Sequence, residues 1–471
     1  MNKKILVLIF VLSLSIRLVS VYITPIKWWD ETVYANLGYD LKSNPTDYSF
    51  EGLWSDKNLD WPKAGYRAPL LPYSLSVLYL AFGDNNLLID LLMPVIGSLG
   101  IVFLFILVEK MYDEKIALYS SLLLAFLPLH VIISGRILTD VFVTTFTTLS
   151  FLFFWLGFEK GENKFKIACG FTSALSILAR YNAILLPAVF LIYLLAKNRN
   201  FKFLMDRYVA LSLVVFILTL SPLFWYGYET YGNPIGAFEH ASRAIRYYGG
   251  TQPWHFYFTN SPTFALMIIF SLLGFYSIMK NRDSKKKNSN ILTLLWFFSF
   301  LILSIYFPHK EDRFILFMTP ALTTVTAIGL AKIKNKKLIF ISIAAVSLFL
   351  LSFTFFEFIF TIENSHTEEA SCFLEATEFL KTAEADSVVL TDSSSLVYFY
   401  TKKENHFFIE EFEGNVKLIN ENYAGRPVYV LLTSYESPRE EFGEKLEQDP
   451  SFTTVFSCPE DGSLAMVYKY S

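Results

Sequence analysis

Two adjacent carboxylates, Asp30 and Glu31, follow the first apolar run of the chain and its two tryptophans, Trp28 and Trp29. Val33, Leu37 and Leu41 recur behind them every four residues, so 30–42 reads as an interfacial helix that opens on the acids. The start of a helix stabilises acids electrostatically, and a carboxylate just outside a membrane can also act as a general base. Both readings of the pair stand on spacing alone. A second stretch, Lys63 to Tyr73, sets Lys63 and Arg67 just before a helix that begins with Pro69. Cations at a helix start bind either a phosphate group or lipid headgroups. Arg136 and Asp140 form a third pair, read as a snorkelling arginine with a capping acid or as part of a polar site. The fourth is the run His309-Lys310-Glu311-Asp312-Arg313-Phe314, squeezed between two apolar segments where a solvated turn is the plain alternative. Arg17 and Arg180, near or within apolar segments, are weaker signals of the same kind, since intramembrane charge is usually functional or paired.

The elements that must position these residues are membrane helices. Hydrophobic residues make up 53% of the chain and charged residues 18%, against about a quarter charged in soluble proteins. The mean hydropathy is +0.40. A span needs about 20 mostly apolar residues, and suitable runs lie near 4–23, 87–109, 116–134, 138–158, 165–179, 182–197, 207–227, 263–280, 291–307, 314–331 and 337–361. The run at the N-terminus has the lysines and leucines of a signal peptide but no small-residue cleavage site, and reads as a retained first helix. The basic loops Lys110–Lys115, Lys160–Lys166, Lys197–Arg207, Lys280–Lys287 and Lys332–Lys337, with Lys3 and Lys4, all fall on one side if the short run 69–82 does not cross. The positive-inside rule then places the N-terminus in the cytoplasm, 69–82 as a re-entrant or interfacial helix, and the C-terminal region outside.

The expected fold is thus an all-α polytopic membrane protein of about 11 spans, with residues 1–361 in the membrane domain and an outer loop over 24–86 that carries interfacial helices. Residues 362–471 are polar. Helix-like stretches (368–382, 438–448) alternate there with strand-like ones (387–390, 428–432, 464–468), the pattern of a small extracytoplasmic α/β domain. Cys372 and Cys458 both lie in it and are either bridged or two buried thiols. Cys169, in an apolar segment, reads as a small core residue. The net charge of −3 averages a basic inner side against an acidic tail, and nucleic acid is not an expected partner.

The four stretches, in their order and on one face, resemble the GT-C superfamily of integral membrane glycosyltransferases. Members carry an Asp or Asp-Glu in the first outer loop, as Asp30-Glu31 does. Arg67-Ala68-Pro69-Leu70-Leu71-Pro72 resembles the proline-rich segment of protein O-mannosyltransferase-like and aminoarabinose-transferase-like members, and Ser134-Gly135-Arg136 to Asp140 resembles their second outer-loop motif. His309-Lys310-Glu311-Asp312-Arg313-Phe314 resembles the His-Lys-Glu-x-Arg-Phe signature of dolichyl-phosphate-mannose-dependent mannosyltransferases. The resemblance covers roughly residues 1–335.

It implies transfer of a mannose-like hexose from a polyprenyl- or dolichyl-phosphate donor to a hydroxyl of a glycan, lipid or protein acceptor, outside the cytoplasm. A single displacement inverts the anomeric centre and asks for one carboxylate base. Asp30 takes that role, with Glu31 orienting it or the acceptor. Lys63, Arg67, Arg136, His309, Lys310 and Arg313 are the expected phosphate-binding set, and Tyr34, Asp140 and Glu311 are acceptor-side or structural. A monophosphate donor asks for no divalent ion, so no metal and no cofactor are expected, and the first outer loop lacks a clear Asp-x-Asp pair of the oligosaccharyltransferase branch. The competing readings are a pyrophosphate-donor polymerase or ligase, which the Asp30-Glu31 pair disfavours, and a lipid or sugar transporter, which would place its polar residues in mid-membrane.

Overall fold

Prolines, glycines and short polar breaks cut the apolar sequence into helices, and a computed structural model shows how they pack. It describes residues 3–23, 27, 29–49, 64–248, 251–260, 262–280, 284–332, 352–356, 359, 367–407, 412–434, 440–459 and 464–471. In chain order the helices are α1 (Lys3–Tyr22), α2 (Trp29–Leu41), α3 (Leu70–Phe82), α4 (Asn86–Met111), α5 (Glu114–Ala125), α6 (Pro128–Ser134) and α7 (Thr139–Phe154). Then come α8 (Asn163–Ala179), α9 (Leu185–Asn198), α10 (Arg207–Tyr231), α11 (Gly236–Tyr248), α12 (Phe256–Thr259), α13 (Pro262–Lys280), α14 (Ser284–Tyr306) and α15 (Thr319–Ala331). The C-terminal region adds α16 (Glu368–Thr382), β1 (Val388–Leu390), α17 (Ser394–Thr401), β2 (Glu404–His406), α18 (Phe412–Asn422), β3 (Val428–Thr433), α19 (Glu440–Gln448), β4 (Phe452–Cys458) and β5 (Ala465–Tyr470).

The chain divides into two compact units, one of Met1–Tyr22, Gly65–Leu71 and Asn85–Phe358, the other of Ile23–Ala64, Pro72–Asp84 and Ile359–Ser471. In the first, seven helices among the described residues are long and apolar enough to cross a membrane, or eight if a bent pair counts as one span. Helices stand at each of the first ten expected spans; most of the eleventh, 337–361, lies outside the described residues. Burial separates the roles of the spans. Only 17% of the most apolar stretch of Arg207–Tyr231 is buried, against 89% for Asp312–Ala331, so the former faces lipid and the latter fills the centre. Helix pairs approach through small residues: a Cβ on Gly274 of α13 would clash with the Val325 carbonyl oxygen of α15.

The run 116–134 reads as one span in sequence but is broken. α5 and α6 meet at 60°, because Pro128 opens α6 at its first turn and cannot continue the hydrogen-bond ladder of α5. Arg17, fully buried in α1, joins the two halves. Its Nη1 donates to the Ala125 carbonyl at 3.4 Å, its Nη2 meets His130 Nδ1 at 2.8 Å and its Nε donates to Ser134 Oγ at 3.2 Å. A carbonyl freed by the break thereby keeps a donor where water is scarce.

In the second unit the five strands order β2-β1-β3-β5-β4. β1 pairs in parallel with β2 and β3, and β5 runs antiparallel to β3 and β4. One face packs Phe373, Ala376 and Leu380 of α16 and Leu396 and Val397 of α17 against Val389, Tyr429 and Val467. The other packs Ile419 and Phe442 over Leu390, Val430 and Tyr468. Cys372 and Cys458 form a disulfide with their Cα atoms 5.3 Å apart, tying α16 to β4. The short helices α2 and most of α3 belong to this unit.

Candidate active site

Asp30 and Glu31 occupy the first turn of α2, where the helix field favours them. Glu31 is fully buried and Asp30 half-buried. Tyr34, also buried, lies one turn on along the helix. Lys63 and Trp28 lie outside the described residues.

The first unit assembles a charged cluster from the ends of its helices and the loops between them. Arg180 caps the C-terminus of α8 in extended conformation, and its Nη1 pairs with Oδ1 of Asp140, in the first turn of α7. Asp140 is 1% exposed, so the guanidinium is the counter-charge that makes its burial tolerable. The same guanidinium lies over the Phe314 ring, 4.4 Å from its centre. Beside it, Glu311 forms an ion pair with Arg313, Oε2 to Nε at 2.6 Å, and meets His309 Nε2 at 2.8 Å. Burial alone would raise the Glu311 pKa, but Arg313, then His309 and Arg180, hold it below the usual carboxylate range. This carboxylate is therefore an orienting acceptor, ionised at neutral pH, rather than a proton donor. Tyr257 of α12 brings a fully buried phenol whose surroundings include the charges of Arg180, Asp312, Glu311 and Asp140. Desolvation there holds its pKa well above the ordinary phenol value, so it remains a neutral donor.

Of the expected set, Asp140, His309, Glu311 and Arg313 thus stand together. Arg67 has its guanidinium 5.2 Å from the centre of the Tyr66 ring. Its carbonyl accepts from Tyr181 Oη at 3.2 Å, which anchors the Arg67 loop to the residue that follows Arg180. Arg136 is 3% exposed, in the turn between α6 and α7, where its carbonyl accepts from Leu138 N at 2.8 Å.

Lys310 departs from the phosphate-binding expectation. Its Nζ donates to the Phe307 carbonyl at 2.6 Å, the Gln252 carbonyl at 3.0 Å and the Pro308 carbonyl at 3.5 Å. The ammonium has three hydrogens and all are directed at backbone, so its work is to tie the 252 and 307–308 segments together. Lys310→Met is expected to lower the thermal midpoint in detergent, on the scale of about 1–3 kcal/mol per orphaned buried group, while the activity of the folded fraction changes little. Thermal unfolding followed by tryptophan fluorescence, with activity measured on the same sample, checks this.

Arg180 and Tyr257 complete the cluster although spacing did not place them there. The signal available for Arg180 was an arginine at the end of an apolar run; for Tyr257 there was none. The arrangement offers guanidinium and imidazole groups, each fixed by a carboxylate, which suits a phosphate monoester oxygen.

Residues 66–403 match the Alg9-like mannosyltransferase family. The chain belongs to that family. A curated relative, GPI mannosyltransferase 3 of Candida albicans, is 30% identical over 290 residues, 59% of this chain and 56% of the relative. The match therefore spans little more than half the length of that protein. Among solved structures, ArnT of Cupriavidus metallidurans superposes with a TM-score of 0.76 at 13% identity, covering 98% of this chain and 97% of that one. ArnT bound to undecaprenyl phosphate gives 0.73 at 14% identity, over 100% and 98% of the two chains. The arabinofuranosyltransferase AftD from mycobacteria gives 0.63 at 12% identity, over 100% of this chain and 40% of that one. At these identities the likeness establishes the fold, which is that of the GT-C glycosyltransferases, a multi-pass membrane architecture.

Proposed function

We propose that this family member transfers mannose from a polyprenyl-phosphate donor to an acceptor hydroxyl on the outer face of the membrane, inverting the anomeric centre. The observation that carries the reading is the Asp140–Arg180 and Glu311–Arg313–His309 cluster, which presents cations held in place by carboxylates. Membership of a mannosyltransferase family supports the sugar. The undecaprenyl phosphate in a chain of the same fold supports the donor class.

In this reading Asp30 takes the proton of the acceptor hydroxyl as its oxygen attacks C1. The C1–O bond to phosphate breaks, and the polyprenyl phosphate leaves with the electron pair. Glu31 orients the base or the acceptor. Arg67, Arg136, Arg180, Arg313 and His309 stabilise the charge that develops on the leaving phosphate, each such group being worth several kcal/mol where water is excluded. Lys63 stays with the phosphate set on sequence grounds. A monophosphate carries at most two negative charges, and guanidinium groups suffice for them, so the reaction is proposed to need no metal ion. The Cys372–Cys458 disulfide favours an oxidising compartment for the C-terminal region, in keeping with basic loops on the opposite side and an N-terminus in the cytoplasm. The acceptor is a glycan, lipid or protein hydroxyl, with a glycolipid favoured by the GPI mannosyltransferase relative.

The test is transfer of label by the protein in vesicles from polyprenyl-phosphate mannose, polyprenyl-phosphate glucose and polyprenyl-diphosphate mannose, with and without EDTA. Incorporation from the first alone, within about twofold in EDTA, is the expected result. Incorporation only from the diphosphate would replace this reading with the polymerase or ligase one.

A further inference from the structure

The C-terminal α/β domain has no part in the chemistry described so far, yet one of its helices lies along α2. Thr32, Asn36 and Asp40, spaced by four, form one edge of α2. Ser395 and Tyr398 of α17 meet that edge. Thr32 Oγ1 and Ser395 Oγ share a hydrogen bond at 2.9 Å, Asn36 Nδ2 donates to the Ser395 carbonyl at 2.8 Å, and Tyr398 Oη donates to Asp40 Oδ1 at 2.7 Å. The contacts continue to the start of the helix, where Lys27 N donates to Tyr400 Oη at 3.2 Å and the Trp29 ring packs 6.0 Å from that of Phe407. On another side, a Cβ on Gly38 would stand 2.6 Å from Leu75 Cβ and 2.9 Å from the Pro72 carbonyl oxygen, so α3 closes against α2 without slack.

The gripping helix is itself anchored. Ser394 Oγ bonds Asn405 of β2, the turn before it is held by Thr391 N donating to the His406 carbonyl at 2.9 Å, and Leu396 and Val397 are fully buried in the domain core. A polar ladder between two helices fixes register as well as distance, because each rung fits only one partner.

We propose that the C-terminal domain is a positioning element for the reaction: α17 holds α2 by its Thr32–Asn36–Asp40 edge and thereby fixes the helix start that carries Asp30 and Glu31. Ser395, Tyr398 and Asn36 are positioning residues in this sense and touch no substrate. The inference rests on the reading of Asp30 as the base, and the experiment separates the two. Asn36→Ala, Tyr398→Phe and their combination are compared by kcat and by KM for the polyprenyl-phosphate mannose donor, in the wild-type and in the Asp30→Asn background. The combined variant is expected to lose about 10- to 100-fold in kcat, the scale of an ångström-level misplacement, with KM for the donor within about twofold. In the Asp30→Asn background the same two substitutions are expected to leave the residual kcat unchanged, since they act through a carboxylate already removed. A general loss of structure would lower that residual rate as well, and this outcome overturns the proposal. So does an unchanged kcat in the combined variant. If Asp30→Asn alone retains full activity, the base assignment fails, and the proposal fails with it.

Discussion

Asp30→Asn is expected to lower kcat by about three orders of magnitude while leaving donor affinity within about twofold, the range of a lost general base. The substitution keeps size and polarity at the first turn of α2 and removes only the ability to accept a proton. Asp30 is half-buried, so a carboxylate there is reachable by an acceptor hydroxyl, whereas Glu31 is fully buried and is not placed to replace it. Glu31→Gln is accordingly expected to cost less, about tenfold, through orientation of its neighbour. Initial rates with saturating donor, together with donor binding measured on the inactive variant, distinguish a lost base from a lost binding site. Loss of binding without loss of kcat would move Asp30 out of the chemistry.

Arg180→Met is expected to lower kcat/KM by about 10²- to 10³-fold, the scale seen when one oxyanion donor is removed. The guanidinium is held by Asp140 and by the Phe314 ring, so it is fixed before the leaving phosphate develops charge and needs no reorganisation. Its removal also leaves Asp140 buried without its counter-charge, which costs stability. The pair Asp140→Asn with Arg180→Met separates these effects: it is expected to recover thermal stability but not activity. Arg180→Lys recovers only part of the rate, since an ammonium lacks the planar fork. Full activity in the double variant would remove Arg180 from the phosphate set and leave the pair a structural one.

The contrast between Lys310 and Arg180 shows what the sequence holds and what it does not. Both are cations next to apolar runs, Lys310 within a charged stretch and Arg180 alone at the end of its run. The direction of Lys310 is decided by three carbonyls, two in the loop just before it and one 58 residues earlier. The partner of Arg180 is 40 residues upstream, and no local pattern encodes either fact. The membrane helices were legible because length and hydropathy alone define a span. The break between α5 and α6 was missed because an apolar run with one internal proline reads as continuous. In the tail, the strands at 387–390, 428–432 and 464–468 and the helices at 368–382 and 438–448 were visible as β-branched runs and amphipathic stretches, and helices or strands stand at each. α17 was not, since Ser394–Thr401 is short and rich in aromatic and β-branched residues, and its helix is set by what it packs against. The placement of α2 in the same compact unit as that tail was equally invisible, because contacts more than 350 residues apart leave no trace in spacing.

The most direct test of the central claim is transfer by the purified protein from polyprenyl-phosphate mannose labelled with ¹³C at C1, with the anomeric configuration of the product read by NMR. The expected result is a mannosyl product of configuration opposite to the donor's, formed by the wild type and absent with Asp30→Asn. A product of retained configuration would contradict the single displacement, and transfer from the polyprenyl-diphosphate sugar alone would contradict the donor.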